Sequence, residues 1–136
     1  MKLENVTIPE SVISIGSYAF VSCESLTKIT IPGGITTVGS GAFTRCYNLK
    51  SVTILDGVNS IGSEAFSGCS TLESVTLPDS VISIEDGAFW TCNSLKSIKL
   101  PKNLVTISRG LFIGCESLEE IKFPKAITTI GENAFI

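Results

Sequence analysis

The sequence predicts a repeat solenoid of α/β type. The expected form is a right-handed coil of parallel β-strands with short helical or 3-10 turns, about six turns long. Three observations predict it. The five cysteines, Cys23, Cys46, Cys69, Cys92 and Cys115, stand 23 residues apart. The same step carries Phe20, Phe43, Phe66, Phe89, Phe112 and Phe135, and it carries Leu3, Leu26, Leu49, Leu72, Leu95 and Leu118. The 136 residues contain no linker and no break in composition. A period held over many columns marks one supersecondary unit that cannot bury its apolar side alone and does so by stacking on its copies.

Each copy divides into the same pieces. Leu26-Thr-Lys-Ile29-Thr-Ile31 alternates apolar with polar residues and is β-branched, which predicts a strand. Pro32-Gly-Gly breaks it. Ile35-Thr-Thr-Val38-Gly39 predicts a second short extended piece. Ser40-Gly-Ala42-Phe43-Thr-Arg-Cys46 has the spacing of one helical or 3-10 turn. Complete copies begin at Leu3, Leu26, Leu49, Leu72 and Leu95; the sixth begins at Leu118 and stops at Ile136. Residues 1–136 therefore read as a single domain, and no copy has the composition of a polar cap.

Composition excludes several functions. Hydrophobic residues make up 43% and charged residues 17%, against about 25% charged in ordinary globular chains. The chain is too apolar for disorder. Its net charge of -3 and lack of basic clusters argue against nucleic-acid binding. With no histidine, a Ser-His-Asp or Cys-His nucleophile, a histidine metal site and a histidine base are all excluded. No enzyme, cofactor or metal is expected. No run approaches the ~20 apolar residues of a membrane helix, and Met1-Lys2-Leu3-Glu4 does not open a secretion signal. The chain reads as soluble, with any targeting segment lying outside it.

The unit L-x-x-[VI]-x-[ILF]-P, then [IV]-G-x-x-A-F, then C, resembles the BspA-like (Treponema pallidum-type) leucine-rich repeats. Residues 26–48 and 72–94 follow it closely, and the resemblance covers the chain from Leu3 to Ile136. It implies a curved leucine-rich-repeat solenoid with a parallel sheet inside. It also implies a secreted or cell-surface protein of bacteria or protists, used in adhesion and host-protein binding. Some positions depart from the pattern. Leu55-Asp56-Gly57 replaces the Pro start of the turn. Glu85 and Ser108 replace the glycine found at Gly16, Gly39, Gly62 and Gly131, so that column does not require a positive φ. Leu111 replaces Ala, and Phe123 replaces Ile.

Candidate residues follow from the columns. The cysteines fall on one inward ladder, which reads as small buried apolar residues. Parallel Cα–Cβ vectors on neighbouring rungs do not suit a disulfide. Outward strand positions are mostly Ser and Thr with scattered charge, and they form either a solvated face or a binding groove. Lys28, Thr30, Thr53, Thr76, Lys99 and Lys122 are its candidate contacts. Trp90 and Ile113 occupy a variable column, and Tyr18 and Tyr47 occupy others. They read as partly buried packing residues or as a protein-contact patch, since Trp and Tyr are enriched among interface anchors. The carboxylate pairs Glu85-Asp86 and Glu119-Glu120 are adjacent in extended chain and point apart, which does not make an acid–base pair. Asn5-Val6-Thr7 is a glycosylation sequon, meaningful only on a eukaryotic secretory route.

Two functions are expected from this reading. The first is a non-catalytic protein-binding or adhesion module whose partner is a host or neighbouring-cell surface protein. The second is self-association, with uncapped rungs stacking end to end. Leu3, Val6 and Ile8 at one end, and Phe123, Ile130 and Phe135 at the other, are the candidate contacts.

Overall fold

The computed structural model describes residues 2–136. Each of the last five copies forms two short strands. The longer set is β1 (Lys28–Ile31), β3 (Ser51–Ile54), β5 (Ser74–Thr76), β7 (Ser97–Lys99) and β9 (Glu120–Lys122). The shorter set is β2 (Thr37–Val38), β4 (Ser60–Ile61), β6 (Ser83–Ile84), β8 (Thr106–Ile107) and β10 (Thr129–Ile130). Strands form where β-branched residues alternate with polar ones. In β1, Ile29 and Ile31 point inward while Lys28 and Thr30 stay exposed.

All strand pairs are parallel, and every register equals one repeat. Lys28 faces Ser51, which faces Ser74; Val38 faces Ile61, which faces Ile84. The longer strands make sheets of order β1-β3-β5 and β7-β9, the shorter ones β2-β4-β6 and β8-β10. The first copy contributes no strand among the described residues, only a single bridge from Ile15 to Val38. The expected six turns are thus five strand-bearing rungs and a first copy held by that bridge and by the amides of Tyr18, Phe20 and Ser22, which donate to Ser40, Ala42 and Thr44.

The core is the set of columns expected to face inward. Leu26, Leu49, Leu72 and Leu95 are fully buried, as are Phe43, Phe66 and Phe89. Successive phenyl rings stack nearly parallel, with centroids 5.1, 5.3, 5.7, 6.0 and 5.5 Å apart from Phe20 to Phe135. No polar side chain is buried among the described residues.

The expected helical or 3-10 turns, and with them the α/β class, are corrected. The described residues contain no helix. The reason lies in where the amides go. In the second copy the Ala42, Thr44 and Cys46 amides donate three residues back, to Gly39, Gly41 and Phe43. The alternate amides of Gly41, Phe43 and Arg45 donate across to Ser63, Ala65 and Ser67 of the next copy. A helix keeps consecutive amides within itself. Here every second amide is spent between copies, so the segment becomes a run of linked turns.

That run needs two left-handed residues per copy. One column is Tyr18, Gly41, Glu64, Gly87, Gly110 and Asn133; the other is Ser22, Arg45, Gly68, Thr91 and Gly114. The Gly16, Gly39, Gly62 and Gly131 column is not left-handed, as expected from its Glu85 and Ser108. Gly39, Gly62 and Gly131 serve close approach to the backbone of the preceding copy instead. A Cβ on Gly39 would stand 2.5 Å from the Gly16 carbonyl carbon.

Candidate protein-contact faces

The strand face presents the outward residues of the longer strands. Lys28, Thr30, Thr76, Lys99 and Lys122 are exposed, and Thr53 is half-buried between its neighbours. In-register pairing brings Thr30, Thr53 and Thr76 into one row, and Lys99 beside Lys122. Charge is unevenly placed along the solenoid. Residues 1–94 carry four basic and nine acidic side chains, while residues 95–136 carry six basic and four acidic.

Where the face turns basic it also deepens. A groove of about 720 Å³ is lined by Ser97, Lys99, Lys102, Lys122 and Phe123, with Asp79 and Glu120 beside them. Lys102 approaches Asp79 at 3.8 Å, and Lys122 approaches Glu120 at 3.9 Å. Both pairs are exposed and contribute at most about 1 kcal/mol. Among the described residues Lys99 has no ion-pair partner. Phe123 is 45% exposed and meets Phe135 edge-on at 5.9 Å.

The turn-bearing side carries Tyr47 and Trp90. Trp90 is 42% exposed and divides two shallow grooves. One, of about 440 Å³, joins it to Tyr47, Arg45, Glu64 and Asn93. The other, of about 380 Å³, joins it to Ile113, Asp86 and Arg109. The structure therefore places Trp90 between Tyr47 in one groove and the half-buried Ile113 in the other. Tyr18 stands apart, its ring lying over Gly41, where a Cβ would come within 2.3 Å of it. That contact, beside a left-handed backbone, accounts for glycine at this position in the second copy.

The terminal residues separate as the repeat requires. Leu3, Val6 and Ile8 are half-buried against the first rungs, and Val6 and Ile8 border an apolar hollow of about 330 Å³ with Val12, Ile15 and Phe20. Ile130 and Phe135 are 54% and 43% exposed at the other end. The amides of Asn133 and Phe135 lack backbone partners among the described residues, although their counterparts Gly110 and Phe112 donate to Glu132 and Ala134.

The cysteines do more than fill space, a feature the sequence reading missed. Each of the last four thiols donates to the Phe carbonyl of the copy before it. The pairs are Cys46 to Phe20, Cys69 to Phe43, Cys92 to Phe66 and Cys115 to Phe89, at 3.1–3.3 Å. The signal was present in the columns, since a residue that only fills volume is interchangeable with Ala or Val, yet this column is Cys in every complete copy. All five thiols are free. The neighbouring Cys46 thiol, with burial, holds Cys69 well above the ordinary thiol range. Burial, followed by the nearby Cys115, does the same at Cys92, and burial pushes Cys115 to about 11. A neutral, hydrogen-bonded thiol is a poor nucleophile.

Fold and faces together define a parallel repeat solenoid that offers side chains on regular rungs. The BspA-type leucine-rich repeat model matches residues 1–74 and 36–136, with six copies. The chain belongs to that family. Solved structures agree. A leucine rich cell surface protein from Faecalibacterium prausnitzii is 35% identical over 97% of this chain, with a TM-score of 0.85. A leucine-rich repeat protein from Eubacterium ventriosum is 34% identical over 98% of it, with a TM-score of 0.92. The T. pallidum leucine rich repeat protein is 29% identical over 88% of this chain and covers 67% of its own, with a TM-score of 0.66. This chain spans 37% of the F. prausnitzii chain and 36% of the E. ventriosum chain. A comparison with curated protein sequences finds no match.

Proposed function

We propose that this chain is a non-catalytic protein-binding segment of a cell-surface protein, used in adhesion to a host or neighbouring-cell protein. The observation that carries the reading is the strand face. Its outward side chains sit at fixed repeat spacing and play no part in the core, and the column of Thr30, Thr53 and Thr76 becomes Lys99 and Lys122 along the solenoid. The cell-surface description of the F. prausnitzii relative supports the location. Repeat solenoids bind through such extended faces. The Tyr47–Trp90–Ile113 face is the second contact region.

The test is adhesion of beads coated with the 136-residue chain to host epithelial cells, before and after protease shaving of the cells. Binding that is abolished by shaving, and weakened about tenfold by Lys99→Glu with Lys122→Glu or by Trp90→Ala, supports the proposal. Absence of binding, or binding indifferent to all three changes, overturns it.

Self-association of this polypeptide is a second reading. It is supported by the hollow at Val6 and Ile8 and by the exposed Ile130 and Phe135. Light scattering after size exclusion tests it. Mass that grows with concentration and returns to monomer in Leu3→Lys or Phe135→Lys supports stacking; a constant monomer mass refutes it.

A further inference from the structure

The five complete copies have one length, yet among the junctions between strand-bearing copies one differs from the rest. Between the fourth copy (from Leu72) and the fifth (from Leu95), both sheets end: β5 does not pair with β7, and β6 does not pair with β8. Three amides show the change. Across the preceding junction Glu73, Ile82 and Glu85 donate to Lys50, Asn59 and Ile61, each at 2.9 Å. Across the following junction Glu119, Thr128 and Gly131 donate to Lys96, Val105 and Ile107. The equivalent amides of Lys96, Val105 and Ser108 make no such bond among the described residues. The Ser108 hydroxyl reaches the Ile84 carbonyl in place of its amide.

The turn side stays joined, with Gly87 and Thr91 donating to Arg109 and Ile113 at 3.0 and 2.6 Å, and only the bond beside Leu111 is long. The cross-copy bond donated by each Phe runs 2.7, 2.8, 2.9, 3.2 and 2.9 Å along the chain, longest from Phe89 to Leu111. The phenyl stack is also widest there, 6.0 Å between Phe89 and Phe112. The cause is in the sequence. Leu111 stands where the other five copies have Ala, and it is fully buried. Leu104, in the same copy, follows Val81 in its column and is buried as well. Extra volume in a core at close-packed density must move its walls.

We propose that the junction between the fourth and fifth copies is a crease built by Leu111. The solenoid is two stiff blocks joined by backbone bonds on the turn side and, elsewhere across this junction, by bonds that use side chains: Lys102 N–H to Asp79, Arg109 N–H to Asp86 and the Ser108 hydroxyl to Ile84. The crease crosses the edge of the Lys99–Lys122 groove, whose wall includes Asp79 of the fourth copy. Flexing at this line therefore changes the width of the groove, whatever occupies it.

Amide hydrogen exchange on the full chain, read residue by residue by NMR, tests this. Lys96, Val105 and Ser108 should exchange about tenfold or more faster than Glu73, Ile82 and Glu85. Leu111→Ala should slow those three amides toward their counterparts. Ala88→Leu should carry the effect one junction earlier and speed Glu73, Ile82 and Glu85. Equal protection at both junctions of the unaltered chain overturns the crease. If Leu111→Ala folds and leaves the fast amides fast, the wedge is overturned. If it does not fold, Ala88→Leu decides: faster exchange at Glu73, Ile82 and Glu85 upholds the wedge, and unchanged exchange overturns it.

Discussion

The same substitution at two positions of one column separates close approach from backbone freedom as the reason for glycine. Gly16 and Gly39 occupy equivalent positions, and neither is left-handed. A Cβ on Gly16 meets nothing within 4 Å. A Cβ on Gly39 would stand 2.5 Å from the Gly16 carbonyl carbon and 2.6 Å from the carbonyl oxygens of Gly16 and Ile15. These are main-chain atoms, so no side chain can swing away. Relief requires the second copy to move away from the first, at the expense of the Gly39 amide bond to Ile15 and the Ile15–Val38 bridge. Overpacking of this kind costs about 1–3 kcal/mol. At Gly16, by contrast, Ala restricts the unfolded chain and stabilises by about 0.4–1 kcal/mol. Urea unfolding followed by circular dichroism should therefore give opposite signs, with a gap of about 1.5–4 kcal/mol. Equal effects at the two positions would refute the close-approach argument and show that the first two rungs separate without cost.

Further expectations follow from the ladders. Phe66→Ala empties a fully buried site between two stacked rings and should cost about 3–5 kcal/mol in urea. Phe135→Ala, at a ring 43% exposed, should cost about half of that. Thr91 is a β-branched residue at φ 56°, where equivalent rungs have Gly68 and Gly114. Thr91→Gly should raise the melting midpoint, because relief of about 1–2 kcal/mol of strain exceeds the entropic cost of Gly; a lower midpoint would refute strain there. The thiols give a pH dependence. Burial raises the folded pKa values of Cys92 and Cys115 above the unfolded value of 9.0, so their contribution is whole below pH 9 and is lost as pH rises, for Cys115 toward about 11. Unfolding between pH 8 and 11 should show stability falling upward of pH 9, and Cys92→Ala with Cys115→Ala should flatten the fall.

Much of the fold was legible because the core is columnar. One side chain repeated at 23-residue steps can only be a rung contact, so Leu26, Phe43 and Cys46 declared both the register and the inward face. The turn was misread because spacing alone does not distinguish a helical turn from linked turns. Ala42, Phe43 and Cys46 fit both, and the difference lies in amides that bond to the next copy. Such bonds depend on a neighbour that no local window contains. The thiol bond to the preceding Phe carbonyl was hidden for the same reason. On the faces, exposure of Lys99, Lys122 and Trp90 was readable from the alternation and from column variability. The placing of Trp90 between Tyr47 and Ile113 was not, since it depends on how far side chains lean along the stack.

What distinguishes one part of this solenoid from another lies in the departures from the repeat. A perfect column is set by packing and carries no further information about position. The outward positions escape that constraint: Lys28, Ser51 and Ser74 share a row, as do Ser97 and Glu120, and folding tolerates all of them. Chemistry on this face is therefore free to follow a partner. The inward departures act differently, because each one moves a wall. Leu111 parts two sheets, and the excess of acidic over basic side chains reverses across the same junction. Changes in packing and in surface charge have no physical reason to coincide if each arises from its own local constraint. Their coincidence at one rung marks the fifth copy as the place where the regular array gives way to a surface of distinct shape and charge. A partner sensitive to that surface should respond to Leu111→Ala even though Leu111 is buried and touches nothing outside the core.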